Sequence, residues 1–185
     1  PGNPLTLIEP RRPDFEYDVV DHGGHFLVRH NGEGARDFKV SRTAISTPGQ
    51  AHWQDFIPHE LGRPILSLQP FKDYLAVSYR RNGLPELQIM DFVTSLTYDI
   101  SFGEEDYSLR MHHGREWDTH TIRFSYASMT TPATVYDYDM NTRQRELKKQ
   151  TEILGGFSSG RYRTRRLWAV TQDGSKIPIS LLCHE

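Results

Sequence analysis

The chain of 185 residues has one cysteine, Cys183, and no long apolar run. A single cysteine cannot form an intramolecular disulfide, which favours a reducing compartment. No stretch approaches the roughly 18 apolar residues that a membrane-spanning helix needs. The start, PGNPLTLIEP, has neither the basic region nor the apolar stretch of a signal peptide. We therefore expect a cytoplasmic protein without membrane attachment.

An excess of positive charge is also missing, because the formal net charge is -2. Nucleic-acid binding depends on clustered positive charge, and the basic stretches at 143–149 and 161–166 are only local. The sequence therefore predicts no nucleic-acid partner. The length is sufficient for one domain with a substantial core, although only 36% of the residues are hydrophobic.

A repeat organises most of the chain. Three similar segments begin at His25, Asp73 and His120, which lie 48 and 47 residues apart. Each segment has a run of alternating apolar residues, a turn signal and a second run, a pattern that predicts a β-hairpin. In the third segment the alternating apolar residues are Ile122, Phe124 and Tyr126. In the second, Leu75, Val77 and Tyr79 share one face of the expected strand.

Further strand candidates near residues 52, 65 and 96 bring the total to about four strands per repeat. Four short strands within 40 to 50 residues are typical of a β-propeller blade, and about three blades make a partial propeller. The alternative is a β-sandwich, whose short strands follow one another at similar spacing.

The pattern changes after residue 152. Segment 153–166 is rich in Gly, Ser and Arg and predicts a linker or hinge. RLWAVT, an Asp173-Gly174 turn and KIPISLLCHE then predict a hairpin with a two-residue turn. The predicted fold is all-β, with a partial propeller at 1–152, a linker at 153–166 and a hairpin at 167–185.

Two stretches carry a family resemblance: RFSYASMTTPATVYDYDMNTRQRELKKQTEILGGF and YRTRRLWAVTQDGSKIPISLL. They resemble the oligopeptidase B (protease II) branch of the prolyl oligopeptidase family of serine peptidases. The resemblance implies the C-terminal part of a seven-bladed propeller, followed by the first strands of an α/β-hydrolase domain. It also implies a parent enzyme that cleaves short peptides after Lys or Arg, with the propeller gating access to the active site. The expected partners are these peptides and the catalytic domain of the same parent chain.

The stretch GFSSG matches the Gly-x-Ser-x-Gly pattern of a hydrolase nucleophile, with Ser158 at its centre. A nucleophile elbow needs a buried strand before the serine and a helix after it. Here a short EIL precedes the pattern, and RYRTRR follows and runs into a predicted strand. Asp173 and His184 follow Ser158 by only 15 and 26 residues, too few to enclose a hydrolase fold. We therefore predict that Ser158 is not catalytic, that the family's catalytic triad lies beyond Glu185, and that this segment alone is inactive.

The nine histidines raise the question of a metal site. His22 and His25 flank a Gly-Gly turn, whereas His112 and His113 are adjacent and point apart on a strand. Since no cysteine or carboxylate cluster completes a ligand set, we predict loop histidines, no metal and no cofactor.

Two other groups of residues have simple structural interpretations. The carboxylates of Glu104, Glu105 and Asp106 indicate a solvated turn, because runs of like charge are usually exposed. The three tryptophans are predicted to belong mainly to the core, although each is also able to stack on a ligand. They are Trp53, Trp117 and Trp168.

Four arginines are candidates for an interdomain hinge: Arg161, Arg163, Arg165 and Arg166. Alternation along an extended segment is able to direct several guanidinium groups at one acidic surface. The alternative is a solvated linker.

Two further expectations concern association and an alternative function. A partial propeller leaves strand edges open, and the hairpin residues Leu167, Trp168, Ile177, Ile179 and Leu181 lose their cover without a catalytic domain, so we predict self-association. An independent propeller or sandwich that binds a protein partner is the alternative function.

Overall fold

A computed structural model describes residues 5–184 and shows an almost purely β protein. The described part contains fourteen strands and two single-turn 3-10 helices, Gln50–His52 and Ser159–Arg161, and no α-helix. The strands form three four-stranded antiparallel sheets and one two-stranded hairpin. The predicted fold class is confirmed. No helix within residues 5–184 is long and apolar enough to cross a membrane.

Each four-stranded sheet is one blade, in which consecutive strands are hydrogen-bonded neighbours. Blade 1 contains β1 Tyr17–His22, β2 His25–His30, β3 Lys39–Ala44 and β4 Gln54–Ile57. Blade 2 contains β5 Ile65–Pro70, β6 Tyr74–Arg81, β7 Leu84–Asp91 and β8 Thr97–Asp99. Blade 3 contains β9 Ser108–His112, β10 Thr121–Ala127, β11 Thr134–Asp139 and β12 Arg145–Gln150. The final hairpin pairs β13 Tyr162–Val170 with β14 Lys176–His184.

The hairpins predicted from the repeat are the central strand pairs of the three blades, β2–β3, β6–β7 and β10–β11. In β10 the alternation works as expected, because Ile122 and Phe124 are buried while Thr121 and Arg123 are exposed. The buried residues of β10 pack in a cluster with residues of blade 2. Three small sheets, rather than two large facing ones, distinguish this arrangement from the alternative sandwich.

The middle blade is covered on both faces. Leu75, Val77 and Tyr79 of β6 pack into the cluster shared with blade 1, whereas Tyr74 and Ala76 pack into the cluster shared with blade 3. All five residues are at most 8% exposed. Burying a large apolar side chain contributes about 1.5–3 kcal/mol, so these two clusters join the three blades into one body.

Neighbouring blades meet through their faces, and no ladder of hydrogen bonds joins one blade to another in the described residues. Every blade therefore has two edge strands of its own, whether or not the ring is complete. A partial propeller exposes the faces of its end blades rather than additional edges. Open edges are therefore a property of every blade, and self-association through strand edges or through the hairpin remains a prediction.

The hairpin differs from its prediction in two details. Strand β13 begins at Tyr162 rather than Arg166, because the half-buried Tyr162 and Thr164 continue the alternation of the strand and extend the ladder. The turn has three residues, 172–174, and is closed by a 3.0 Å hydrogen bond from the Gly174 N–H to the Thr171 carbonyl. Only Gly174 of these has a positive φ, +83°, as in a type I turn followed by a left-handed glycine.

Candidate interdomain site at Arg166

Arg166 joins the hairpin to the propeller. The first contact is with the β6–β7 turn of blade 2, where Asn82 and Gly83 have φ values of +52° and +79°. Both values are those of a type I′ turn, which the Asn-Gly sequence favours. The Nη2 atom of Arg166 donates a 2.7 Å hydrogen bond to the carbonyl oxygen of Asn82.

The second contact is with the loop that connects blade 2 to blade 3. Asp106 Oδ1 accepts a 2.8 Å hydrogen bond from Nη1 of Arg166, and Glu105 Oε2 accepts a 3.0 Å bond from the Arg166 backbone N–H. The side chains of Arg166 and Asp106 are only 11% and 17% exposed. The pair is thus an ion pair largely withdrawn from water, which strengthens its electrostatic attraction.

Glu104, the third carboxylate of this loop, contacts blade 3 rather than the hairpin. It accepts hydrogen bonds from the hydroxyl groups of Thr130 (2.6 Å), Thr131 (2.5 Å) and Tyr126 (3.2 Å) in blade 3. Burial raises the pKa of Glu104, but the hydrogen bonds from neighbouring hydroxyl groups outweigh burial, and the net direction is downward. The predicted solvated turn at 104–106 is therefore wrong for Glu104 and Asp106, which are half-buried against protein partners, whereas Glu105 is exposed.

Gly83 is required at this site for two reasons. Its positive φ favours glycine, and a Cβ atom there would lie 2.9 Å from Nη2 of Arg166 and 3.6 Å from Cγ of Pro178. The guanidinium group is also 5.6 Å from the centre of the Trp168 ring. The Nε atom of Arg166 is buried without a hydrogen-bond partner.

The four hinge arginines do not converge. Arg161 ends the short helix Ser159–Arg161, and Arg163 and Arg165 lie on the exposed face of β13. Arg166 points to the opposite face, as the period of two residues in a strand requires. Arg166 donates hydrogen bonds to two propeller loops, and the role of the other three arginines in a hinge remains a prediction.

Ser158 has ordinary extended backbone geometry, with φ −128° and ψ 113°. It is exposed and precedes one 3-10 turn, after which the chain enters β13. A nucleophile elbow has a strained turn between a strand and a helix. The local structure of Ser158 lacks both features.

The histidines that suggested a metal site have separate partners. His22 stacks on Phe92 with ring centres 4.0 Å apart, and His25 lies 3.1 Å from Arg42 Nη2. His112 Nε2 is 2.7 Å from Ser125 Oγ, and His113 Nδ1 is 2.8 Å from Gln69 Oε1. The part of the chain that the structure describes contains no group of three or more potential metal ligands.

The prediction that the tryptophans belong mainly to the core is wrong. Trp117 and Trp168 are 41% and 42% exposed, since one lies in a loop and the other on the hairpin. Trp53 is half-buried at the rim of blade 1, where its Nε1 donates a 2.8 Å hydrogen bond to the Pro48 carbonyl.

Comparison with known proteins decides the family. The family model described as "Prolyl oligopeptidase, N-terminal beta-propeller domain" matches residues 1–151. The chain belongs to the prolyl oligopeptidase family. The hairpin that Arg166 anchors begins at Tyr162, beyond the segment that matches the propeller domain.

Relatives within the prolyl oligopeptidase family are much longer than this chain. Dipeptidyl aminopeptidase BI of Pseudoxanthomonas mexicana is 32% identical over 179 residues, which are 96% of this chain and 24% of that protein. Protease 2 of Moraxella lacunata is 25% identical over 100% of this chain and 26% of its own length. The chain thus spans about a quarter of these relatives.

Two solved oligopeptidase B structures share this fold. The closed form from Trypanosoma brucei, with covalently bound antipain, is 28% identical and has a TM-score of 0.88 over 98% of this chain and 27% of its own. The Leishmania major enzyme is 26% identical and has a TM-score of 0.87 over 100% of this chain and 27% of its own. The resemblance seen in the sequence is confirmed.

Proposed function

We propose that the chain is the C-terminal part of the propeller of a cytoplasmic serine oligopeptidase that cleaves short peptides after Lys or Arg. The observation that carries this proposal is the likeness to oligopeptidase B, with a TM-score of 0.88 over 98% of the chain. In this proposal the segment contributes no catalytic residue. The catalytic domain of the same parent chain supplies the nucleophilic serine, the proton-transferring histidine and the aspartate that orients it.

In this mechanism the blades restrict access to the active site. Both faces of blade 2 are covered by apolar packing, so the three blades behave as a rigid unit. A rigid propeller over the active site admits short flexible peptides and excludes folded proteins. Selection by size then needs no chemical group on the propeller.

Segment 153–166 is the proposed passage between propeller and catalytic domain, with Arg161, Arg163, Arg165 and Arg166 as hinge candidates. The contacts of Arg166 with two loops supply a charged connection whose rupture separates the hairpin from the propeller. Charged contacts of this kind bias an equilibrium between open and closed domains.

The test uses the parent protein with its native flanking sequence. Short fluorogenic peptides ending in Arg or Lys should be cleaved, and the same sequence inside a folded domain should not. Cleavage of both substrates at equal rates, or of neither, contradicts the proposal.

The hinge is tested separately by charge reversal. Arg166→Glu should change peptide turnover or the domain separation measured by small-angle scattering, because it places a carboxylate against Asp106. The matched control is Arg165→Glu, on the exposed face of the same strand. Equal behaviour of the two variants contradicts the hinge role of Arg166.

A further inference from the structure

The loops around Arg166 have the features of a receptor for a guanidinium group. Two acceptors of different chemistry bind its two terminal nitrogens: the Asp106 carboxylate at 2.8 Å from Nη1 and the Asn82 carbonyl at 2.7 Å from Nη2. The missing Cβ of Gly83 leaves room for Nη2. The ammonium group of a lysine is a single point charge and does not match two acceptors that are placed for the two terminal nitrogens of a planar guanidinium group.

The receptor is held in place by the propeller rather than by Arg166. The Asn82–Gly83 turn is fixed by the ladder on either side, which pairs Arg81 with Leu84. The acidic loop is fixed at Glu104 by the hydroxyl groups of Thr130 and Thr131. Both acceptors therefore keep their positions when the guanidinium group is absent, and such preorganisation lowers the cost of binding.

The occupant is imperfectly bound, and the Asp106 side of the site borders a surface cavity. Arg166 Nε is buried without a partner, so withdrawal of the side chain returns this donor to water and offsets part of the lost contacts. A cavity of about 250 Å³ lies beside Asp106 and is lined also by Tyr107, Ser128 and Met129. Once Arg166 withdraws, Asp106 is a largely buried carboxylate without its cation.

We propose that the Asn82–Gly83 turn and the Glu105–Asp106 loop form a guanidinium-binding site, which Arg166 occupies and which binds the arginine side chain of a peptide when Arg166 is displaced. The peptide as ligand rests on the proposed function, whereas the guanidinium selectivity rests on the geometry alone. Peptides rich in arginine then compete with the hairpin for the propeller.

The test uses the 185-residue chain, with Arg166→Ala to empty the site and N-acetyl-arginine amide as the probe. Backbone amide signals of Asn82, Gly83, Glu105 and Asp106 are followed by NMR during titration. We expect saturable binding of N-acetyl-arginine amide to the Arg166→Ala variant. The same probe should bind the unmodified chain about tenfold more weakly, because Arg166 occupies the site. N-acetyl-lysine amide should also bind the variant about tenfold more weakly than the arginine probe does. Adding Asp106→Asn to the variant should weaken binding about tenfold or more.

The matched control is Arg165→Ala, which should bind the probe as weakly as the unmodified chain. A second variant, Arg166→Gln, keeps the side-chain stem and serves if the alanine variant loses its folded spectrum. Equal affinity for the arginine and lysine probes, insensitivity to Asp106→Asn, or no binding by a folded variant overturns the proposal. Since no readout involves hydrolysis, failure here and failure of the peptidase proposal are distinguishable.

Discussion

Replacing Arg63 by alanine should loosen the attachment of the connection between blades 1 and 2 to blade 2. Arg63 lies in the connection between β4 and β5 and is 8% exposed. It makes ion pairs with Glu86 at 2.8 Å, Asp99 at 3.3 Å and Glu60 at 3.4 Å, and lies 4.0 Å from the centre of the Tyr79 ring. Burial raises the pKa of Tyr79 to about 12, so this ring stays neutral beneath the guanidinium group.

The expected loss follows from the exposure of the partners. The Glu86 side chain is 25% exposed, so its charged hydrogen bond contributes about 1.5–3 kcal/mol. Asp99 and Glu60 are 58% and 51% exposed, and such pairs contribute at most about 1 kcal/mol. With about 0.5–1 kcal/mol for the contact with Tyr79, Arg63→Ala should cost about 3 kcal/mol. A domain of this size loses about 2–4 °C per kcal/mol, so Tm should fall by about 6–12 °C.

Circular dichroism during thermal and urea unfolding measures this loss. The matched control is Arg80→Ala, at the exposed end of β6, which should stay within about 0.5 kcal/mol of the unmodified chain. If the two variants differ by less than about 1 kcal/mol, hydration of the freed carboxylates compensates for the lost contacts, and the ion pairs do not hold the connection to blade 2.

Three other outcomes are expected of the 185-residue chain. It should give only the blank rate with fluorogenic Arg and Lys peptides, and a rate abolished by Ser158→Ala would show that the serine is catalytic. Light scattering should detect concentration-dependent association, which removal of residues 161–185 reduces; a constant monomer mass argues against it. Burial lowers the pKa of His30 below its ordinary 6.5, so the native state stays neutral while the unfolded chain takes up a proton. The contribution of His30 to stability should be fully present above pH 6.5 and decline as pH falls toward the lowered pKa. Urea midpoints measured against pH should show a flatter decline for His30→Gln, and an unchanged pH dependence contradicts this role of His30.

The blades were predictable from the sequence because their signal is local and repeated. Ile122, Phe124 and Tyr126 alternate along one strand, and the structure leaves them 1%, 0% and 7% exposed. In β6 the alternation is weaker, because both faces of the middle blade are covered and Ala76 is as fully buried as Val77. Recurrence of the hairpin at a constant offset compensates for this weakness.

The site was not predictable because its two halves are distant in sequence. Arg166 and Asp106 are separated by 60 residues, and no local pattern connects them. Two signals were nevertheless available: the Asn82-Gly83 dipeptide predicts a type I′ turn, and the period of a strand separates Arg166 from Arg163 and Arg165. The tryptophans were misassigned because hydrophobic character does not reveal whether a neighbouring element covers the side chain.

The position of Arg166 also constrains where a movement of the hairpin begins. Arg166 contacts blade 2 through Asn82 and the loop between blades 2 and 3 through Asp106, so β13 is fixed at the junction of two blades that share one apolar cluster. A pivot within 162–166 would break the strand ladder and the ion pair together. Before Tyr162 the chain is exposed, and Gly155 and Gly156 have φ values of +92° and +82° that few other residues adopt. A movement that keeps Arg166 in its site therefore turns about residues 153–161, whereas one that releases Arg166 carries the whole hairpin away and opens the guanidinium site.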